Sequence, residues 1–257
     1  MKTNKWIILL LLVFFQCTHT EEEWESYISR GACFPEVKDK YIYPVVPGMI
    51  EWQQLSSTDD AYKLCQLPNE VLNSISTPGL IDALIHAPLF TEFYFLSSDA
   101  SAIKWHRHYE QFNSAKKLFK RKDAGNALVA YYKLFCFDCV NSPLGLDEGR
   151  EKLVEYHRLI GLECLFTKKE ILDKMGHQKK KDAIAALLEN YEKFPTNVNS
   201  IFPMIYLMYA DEYKPVMKYS RDNSERFQMM LDGLFYSSDI DEQVDLIISF
   251  AKSFIND

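Results

Sequence analysis

The sequence predicts an all-α fold, a multi-helix bundle or irregular α–α array of about nine to eleven helices behind an extended N-terminal segment. Two observations predict this class. From Ser57 to Asp257, apolar residues recur at the three- and four-residue spacing of amphipathic helices. Residues that favour the beginning or end of a helix, such as Asp, Thr and Pro, separate these stretches from one another.

Residues 1–20 predict an export signal. Lys2 and Lys5 form a basic head, and ten apolar residues from Trp6 to Phe15 follow it. This run is too short for a permanent membrane-spanning helix, which needs about 20 residues. A basic head, a short apolar stretch and small polar residues are typical of a secretory signal. We therefore expect the mature protein to act outside the cytoplasm.

Two cleavage positions compete at the end of this signal. Cleavage before Cys17 leaves a lipid-carrying N-terminus, whereas cleavage after Thr20 removes that cysteine. Gln16 departs from the small residue that usually precedes a lipidated cysteine. Cys17 stands at the end of the apolar run, however, and the acidic Glu21–Glu23 after it resembles the surface-export tag of Bacteroidota lipoproteins. The sequence favours Cys17 as the lipid attachment site of a periplasmic, outer-membrane or cell-surface lipoprotein.

The composition limits the binding partners. The formal charge of the chain is −7, and removal of Lys2 and Lys5 with the signal makes it −9. Nucleic-acid binding requires a positive footprint, so this charge argues against it. It argues equally against simple adsorption to anionic lipid.

The mature chain divides into two predicted parts. Residues 21–56 form an extended segment, and residues 57–257 form the helical domain. Within the first part, Tyr41–Gly48 combines β-branched and aromatic residues with two prolines, which remove sheet donors. We expect an extended strap across the helices instead of a strand. Pro143–Gly145 marks a seam between two helical subdomains.

The helices are justified in chain order by their boundaries. Thr77 is expected to cap a helix that has Pro78 at its first position. Asp123 begins a helix that runs to about Phe135. A long helix is expected from about Asp147 to Phe166.

The C-terminal part shows two capping patterns and one clear stripe. Thr167 with Glu170 has the spacing of a capping box, and Asp222 with Glu225 has the same spacing. The last helix presents one continuous apolar face. Its members are Val244, Ile247, Ile248, Ala251, Phe254 and Ile255.

Three stretches resemble a family of exported, uncharacterised all-helical proteins of Bacteroidota. They are "YPVVPGMIEW", "LCQLPNEVLNSISTPGLIDALIHAPLF" and "FNSAKKLFKRKDAGNALVAYYK", and they lie between Tyr41 and Lys133. The resemblance implies an all-α fold and bacterial export. It brings no activity, cofactor or site residue, and it makes Leu67–Glu70 and Lys120–Asp123 structural parts of the fold.

Six cysteines are present, and five of them follow the signal and Cys17. An odd number leaves at least one thiol unpaired unless chains are cross-linked. Cys136 and Cys139 form a C-x-x-C pair, which in other settings is a redox centre or half of a zinc site. Here the pair follows the end of a predicted helix and lacks further ligands at regular spacing. We interpret these cysteines as core thiols or a local disulfide.

Histidines and carboxylates give weak signals for a site. On a helix, His106 and His108 of "WHRHYE" point about 200° apart, so we expect one partly buried and one solvated ring. His86 is expected to interact with the C-terminal end of its helix. The pairs Asp59–Asp60 and Asp239–Asp241 are explained by helix capping.

The function predicted from these observations is contact, not catalysis. We expect an exported, lipid-anchored envelope protein that serves as a protein-interaction or binding module, with another protein or a second copy as partner. No cofactor, metal or nucleic acid is expected, and Cys17 alone would contact the membrane. The alternative is a metal-dependent enzyme whose site assembles in the fold. Its ligands would be His106, His157, Cys136 and Cys139.

Overall fold

A computed structural model describes residues 28–89, 107–137, 149–194, 200–232 and 240–257. Within these ranges the chain forms thirteen α-helices, one 3₁₀ turn and one two-stranded hairpin. Nine of the α-helices have seven or more residues. The prediction of an all-α fold is therefore confirmed. Among the same residues, no helix is both long and apolar enough to cross a membrane.

The elements are named here in chain order. The hairpin consists of β1 (Ile28–Ser29) and β2 (Glu36–Val37). The helices up to residue 137 are α1 (Ile50–Gln53), α2 (Thr58–Leu64), α3 (Asn69–Ser74), α4 (Thr77–Ile85), α5 (Asn113–Leu118) and α6 (Ala124–Lys133). Those from residue 149 onward are α7 (Gly149–Cys164), α8 (Lys169–Leu172), α9 (His177–Lys193), α10 (Ile201–Ala210), α11 (Lys214–Asp222), α12 (Ser224–Asp232) and α13 (Ile240–Asn256). The 3₁₀ turn Leu165–Thr167 joins α7 to α8.

Two helices form the centre of the molecule. Every residue of α4 is buried, and most residues of α10 are buried as well. A helix that is apolar on all sides needs partners around it, and both have them. Helix α4 packs against α5, α6 and α7, whereas α10 packs against α9 and α13. One hydrophobic cluster includes residues from both groups of helices.

The N-terminal segment is extended, as predicted, after a short hairpin. In the hairpin, Ile28 pairs with Val37 in an antiparallel register. The sequence does not predict these strands, because two residues are too few to show alternation. Residues 38–49, called the strap here, contain no strand and lead into α1.

Several helix boundaries differ from the predictions by small steps. Helix α4 is capped by Ser76, whose hydroxyl accepts from the Gly79 N–H at 3.0 Å, so Thr77 is already helical. The capping box at Thr167 is wrong, because its hydroxyl donates to the Cys164 carbonyl within the 3₁₀ turn. Asp222 belongs to the end of α11 and does not begin α12.

Other boundaries agree with the sequence. Asp123 is the N-cap residue of α6, although its side chain makes no capping hydrogen bond. The long predicted helix corresponds to α7 and the 3₁₀ turn. The stripe of the last helix lies on α13, where Val244, Ile247 and Ala251 are buried. The predicted seam at 143–145 lies outside the described residues.

Candidate functional site

Two polar contacts hold the strap on α4. The Asp39 carboxylate accepts hydrogen bonds from the Ser76 N–H (2.5 Å) and the Ser76 hydroxyl (2.8 Å). A carboxylate at this position also faces the positive end of the α4 dipole. Further along, the buried Tyr43 hydroxyl donates to the Ala83 carbonyl at 2.9 Å. The strap is therefore fixed to the most buried helix of the molecule.

The backbone of the strap decides which side chains face solvent. Tyr43 is buried, and the Tyr41 ring packs edge-on against it with ring centroids 4.9 Å apart. Successive side chains of an extended chain point to opposite sides. Ile42, which lies between the two tyrosines, is accordingly 80% exposed.

Exposed aliphatic side chains are concentrated at the strap. Ile42, Met49 and Ile50 are 80%, 43% and 68% exposed, and we call these three side chains the strap surface. Among the described residues, Tyr209 is the one other large hydrophobic residue that is exposed, at 39%. Gly48 precedes Met49 with a φ of +99°, a conformation that favours glycine. The strap surface is therefore a local feature of the strap and its turn into α1.

A second candidate is the group formed by Asp82, His86 and Tyr131. The Tyr131 hydroxyl donates to Asp82 Oδ1 at 3.0 Å, and His86 Nδ1 lies 3.2 Å from the same oxygen. His86 Nδ1 also lies 2.9 Å from the Asp82 carbonyl, so the ring meets the C-terminal end of α4 as predicted. Phe34 from the hairpin turn packs edge-on against the ring.

This group orients a histidine but assembles no reaction centre. Within the described residues, the polar contacts of His86 are with Asp82 alone. A nucleophile would have to lie within hydrogen-bond reach of the ring to be activated by it. Asp82 is fully buried, and its Oδ2 has no hydrogen-bond partner in the described part of the chain. The group closes the interface between the hairpin, α4 and α6.

The "WHRHYE" motif does not provide a metal site in the described residues. His108 is buried, and its Nδ1 lies 2.7 Å from the Tyr62 hydroxyl. Burial lowers the pKa of His108 to about 3, so the ring is neutral near pH 7. This placement fits the expected buried member of the pair, and His106 lies outside the described residues.

A buried carboxylate that the sequence did not single out joins three elements. Glu163 Oε1 on α7 accepts from the Tyr132 hydroxyl of α6 and from the Ser200 hydroxyl before α10, each at 2.7 Å. All three side chains are essentially inaccessible to solvent. Buried polar groups with satisfied hydrogen bonds fix the relative position of the elements that carry them. We assign this cluster a structural role.

The cysteines fall into two states. Cys33 is in a disulfide bond, whereas Cys65, Cys136 and Cys164 are free thiols. The expectation of at least one unpaired thiol is therefore confirmed. A disulfide within the C-x-x-C pair is excluded, because Cys136 is free. Cys65 and Cys164 are buried among apolar residues, as expected for core thiols.

The proposed metal ligands of the alternative are not brought together in the described residues. His157 is buried and Cys136 is half-buried, while His106 and Cys139 lie outside the described ranges. No group of three His, Cys, Asp or Glu side chains that could hold a metal ion occurs in the part of the chain that is described. The tentative lipid site Cys17 and the capping residue Asp239 also lie outside it. Asp60 is located at the start of α2, as predicted.

The strap surface is the arrangement that the sequence came closest to without naming. The prediction of an extended strap implied that alternate residues such as Ile42 face outward, but not that Met49 and Ile50 are exposed. Together, fold and surface define a helical protein with an immobilised apolar strap. Comparison of the chain with protein-family models, with curated proteins and with solved structures finds no match. Functional inference therefore depends on the geometry of the chain itself.

Proposed function

We propose that this chain is an exported, lipid-anchored envelope protein that binds a partner protein through the strap surface. The observation that carries the proposal is the concentration of exposed aliphatic side chains at Ile42, Met49 and Ile50. Exposed apolar groups on a rigid support are typical of binding surfaces. The support is the pair of hydrogen bonds from Asp39 and Tyr43 to α4.

A separate partner fits this surface better than a second copy of the chain. A stable dimer buries on the order of 800 Å² on each subunit. Three side chains provide less than that. They suit insertion into an apolar groove of another protein, where a few central residues supply most of the binding energy.

Export is supported by the disulfide at Cys33. Disulfides persist in oxidising compartments outside the cytoplasm. The basic head and apolar run of residues 1–20 supply the matching signal, and Cys17 is the proposed site of the lipid. The resemblance to exported helical proteins of Bacteroidota points to the same location.

The experiment that tests the proposal compares two charge-introducing variants in native membranes. I42D/I50D alters the strap surface, and Y209D alters the exposed hydrophobic residue outside it. Proteins cross-linked to the wild-type chain are identified first, and each is then titrated against the purified variants. We expect one partner whose affinity falls by at least about thirtyfold in I42D/I50D, the loss expected for hot-spot residues.

The control and the contrary outcome are equally defined. Y209D should bind the partner as the wild type does. Equal binding by I42D/I50D would place the contact elsewhere and overturn the assignment of the strap surface. Size-exclusion chromatography of the purified chain provides the other decision, because a concentration-dependent dimer that I42D/I50D abolishes would assign the surface to self-association.

A further inference from the structure

A run of lysines at the end of α5 lacks ion-pair partners. Four lysines occur within seven residues, and none of them forms an ion pair in the described part of the chain. Arg121 lies within the run but is directed inward, because its Nη2 donates to the Ile75 carbonyl at 2.6 Å. The four lysines are Lys116, Lys117, Lys120 and Lys122.

Other lysines of this acidic chain are paired. Lys63 lies 2.7 Å from Asp60, Lys169 lies 2.7 Å from Asp173, and Lys193 lies 2.7 Å from Glu189. The chain has an excess of carboxylates, with a net charge of −7. The cations after α5 are thus left unneutralised although anionic side chains are abundant elsewhere.

Two more lysines converge on Phe119, in the middle of the run. Lys174 Nζ donates to the Phe119 carbonyl, and Lys168 Nζ lies 5.5 Å from the centroid of the Phe119 ring. Burial lowers the pKa of both lysines. A bound anion would favour the charged form of each. We call these two lysines and the four of the run the basic surface.

The acidic groups near the basic surface do not cancel its charge. Glu110 lies 4.0 Å from Lys168, and Glu170 acts on both Lys168 and Lys174. Asp123 accepts the Thr77 hydroxyl at 2.9 Å. Asp173 is paired with Lys169, as noted above. Positive groups therefore outnumber negative groups here.

We propose that the basic surface binds the anionic headgroups of a phospholipid membrane. Lysine is a hydrated point charge on a flexible stem, which suits mobile headgroups, whereas planar recognition of one carboxylate or phosphate favours arginine. The single arginine of the run is occupied by the fold. Attraction acts over roughly 10 Å, so the local charge decides the contact and not the net charge of −7. The contact does not depend on a lipid at Cys17.

The test measures co-sedimentation of the full-length protein with vesicles. Phosphatidylglycerol-containing vesicles present anionic headgroups, and pure phosphatidylcholine vesicles report binding through the apolar run of residues 1–20, which is the same in all variants. K116E/K120E is compared with K214E/K218E. Both pairs are exposed lysines four residues apart, so the variants have the same net charge. Circular dichroism verifies that both are folded.

We expect the wild type and K214E/K218E to bind anionic vesicles in a salt-sensitive manner. K116E/K120E should bind them at least about tenfold more weakly, because each lysine at an anionic surface contributes about 1 kcal/mol, or fivefold. Equal weakening in both variants, or no preference for anionic over neutral vesicles, would overturn the proposal. Binding of polyglutamate without binding of vesicles would assign the surface to acidic proteins and also overturn it. Partner binding through the strap surface is measured separately, so either proposal can fail alone.

Discussion

At the level of single residues, buried polar side chains explain how the helices are held in register. Glu163 receives hydroxyl donors from α6 and from the residue before α10, and Asp82 receives Tyr131 across the interface of α4 and α6. An unsatisfied donor in these positions would lose its hydrogen bond without gaining water. The positions therefore tolerate replacement poorly, although none of them is a catalytic group.

Replacement of Glu163 should lower stability in a graded manner. Glu163→Ala leaves the Tyr132 and Ser200 hydroxyls without their acceptor, and we expect the free energy of unfolding to fall by about 3 kcal/mol. Glu163→Gln retains one acceptor oxygen and should lose less. Glu170→Ala, an exposed control, should change stability by less than about 0.5 kcal/mol. Urea unfolding measures all three, and equal values for the three variants would contradict the structural role.

His108 should make stability depend on pH in a defined window. Its pKa is about 3 in the folded chain and about 6.5 when unfolded, so below pH 6.5 the unfolded chain takes up a proton that the folded chain refuses. The stabilisation is complete above pH 6.5 and decreases as the pH falls toward 3. The slope from this residue is up to about 1.4 kcal/mol per pH unit.

The measurement compares wild type and His108→Gln by urea unfolding near pH 7.5 and near pH 5.5. Wild type should lose about 1.4 kcal/mol more than the variant over this interval. A proton NMR titration of the His108 ring serves as the second readout, since the ring should remain neutral down to about pH 4. Identical pH slopes together with a ring that titrates near pH 6.5 would refute the burial argument.

At the level of elements, agreement with the sequence depended on how local each signal was. The stripe of α13 and the start of α6 follow from neighbouring residues, and both were predicted. The cap of α4 shifted by one residue because Ser76, and not Thr77, is held by Asp39 from the strap. The Thr167 hydroxyl found a carbonyl in the preceding turn. Such contacts join distant segments or compete locally, and spacing alone could not rank them.

The strap should owe a measurable part of its attachment to Tyr43. Tyr43→Phe removes the hydroxyl that donates to the Ala83 carbonyl, and we expect stability to fall by about 1 kcal/mol. Tyr41→Phe is the matched control, because the Tyr41 hydroxyl makes no hydrogen bond in the described residues. Its effect should stay below about 0.5 kcal/mol. If hydrogen exchange of the strap amides increases equally in both variants, the contact does not hold the strap.

At the level of the whole molecule, the account joins a helical body, an immobilised strap and export. The body was predictable from periodicity, whereas the strap surface was only implied, because exposure depends on which side of an extended chain faces α4. The Glu163 cluster could not be predicted, since its members come together only when α6 and α7 pack beside the start of α10. Export is the claim on which the lipid anchor, the disulfide and the envelope partner depend.

Intact-mass analysis of the native protein, with and without thiol blocking, tests this claim most directly. We predict a chain that begins at a diacylated Cys17 or, after signal removal, at Glu21, with Cys33 in a disulfide and Cys65, Cys136 and Cys164 free. A native polypeptide that begins at Met1 and has six reduced cysteines would contradict the account.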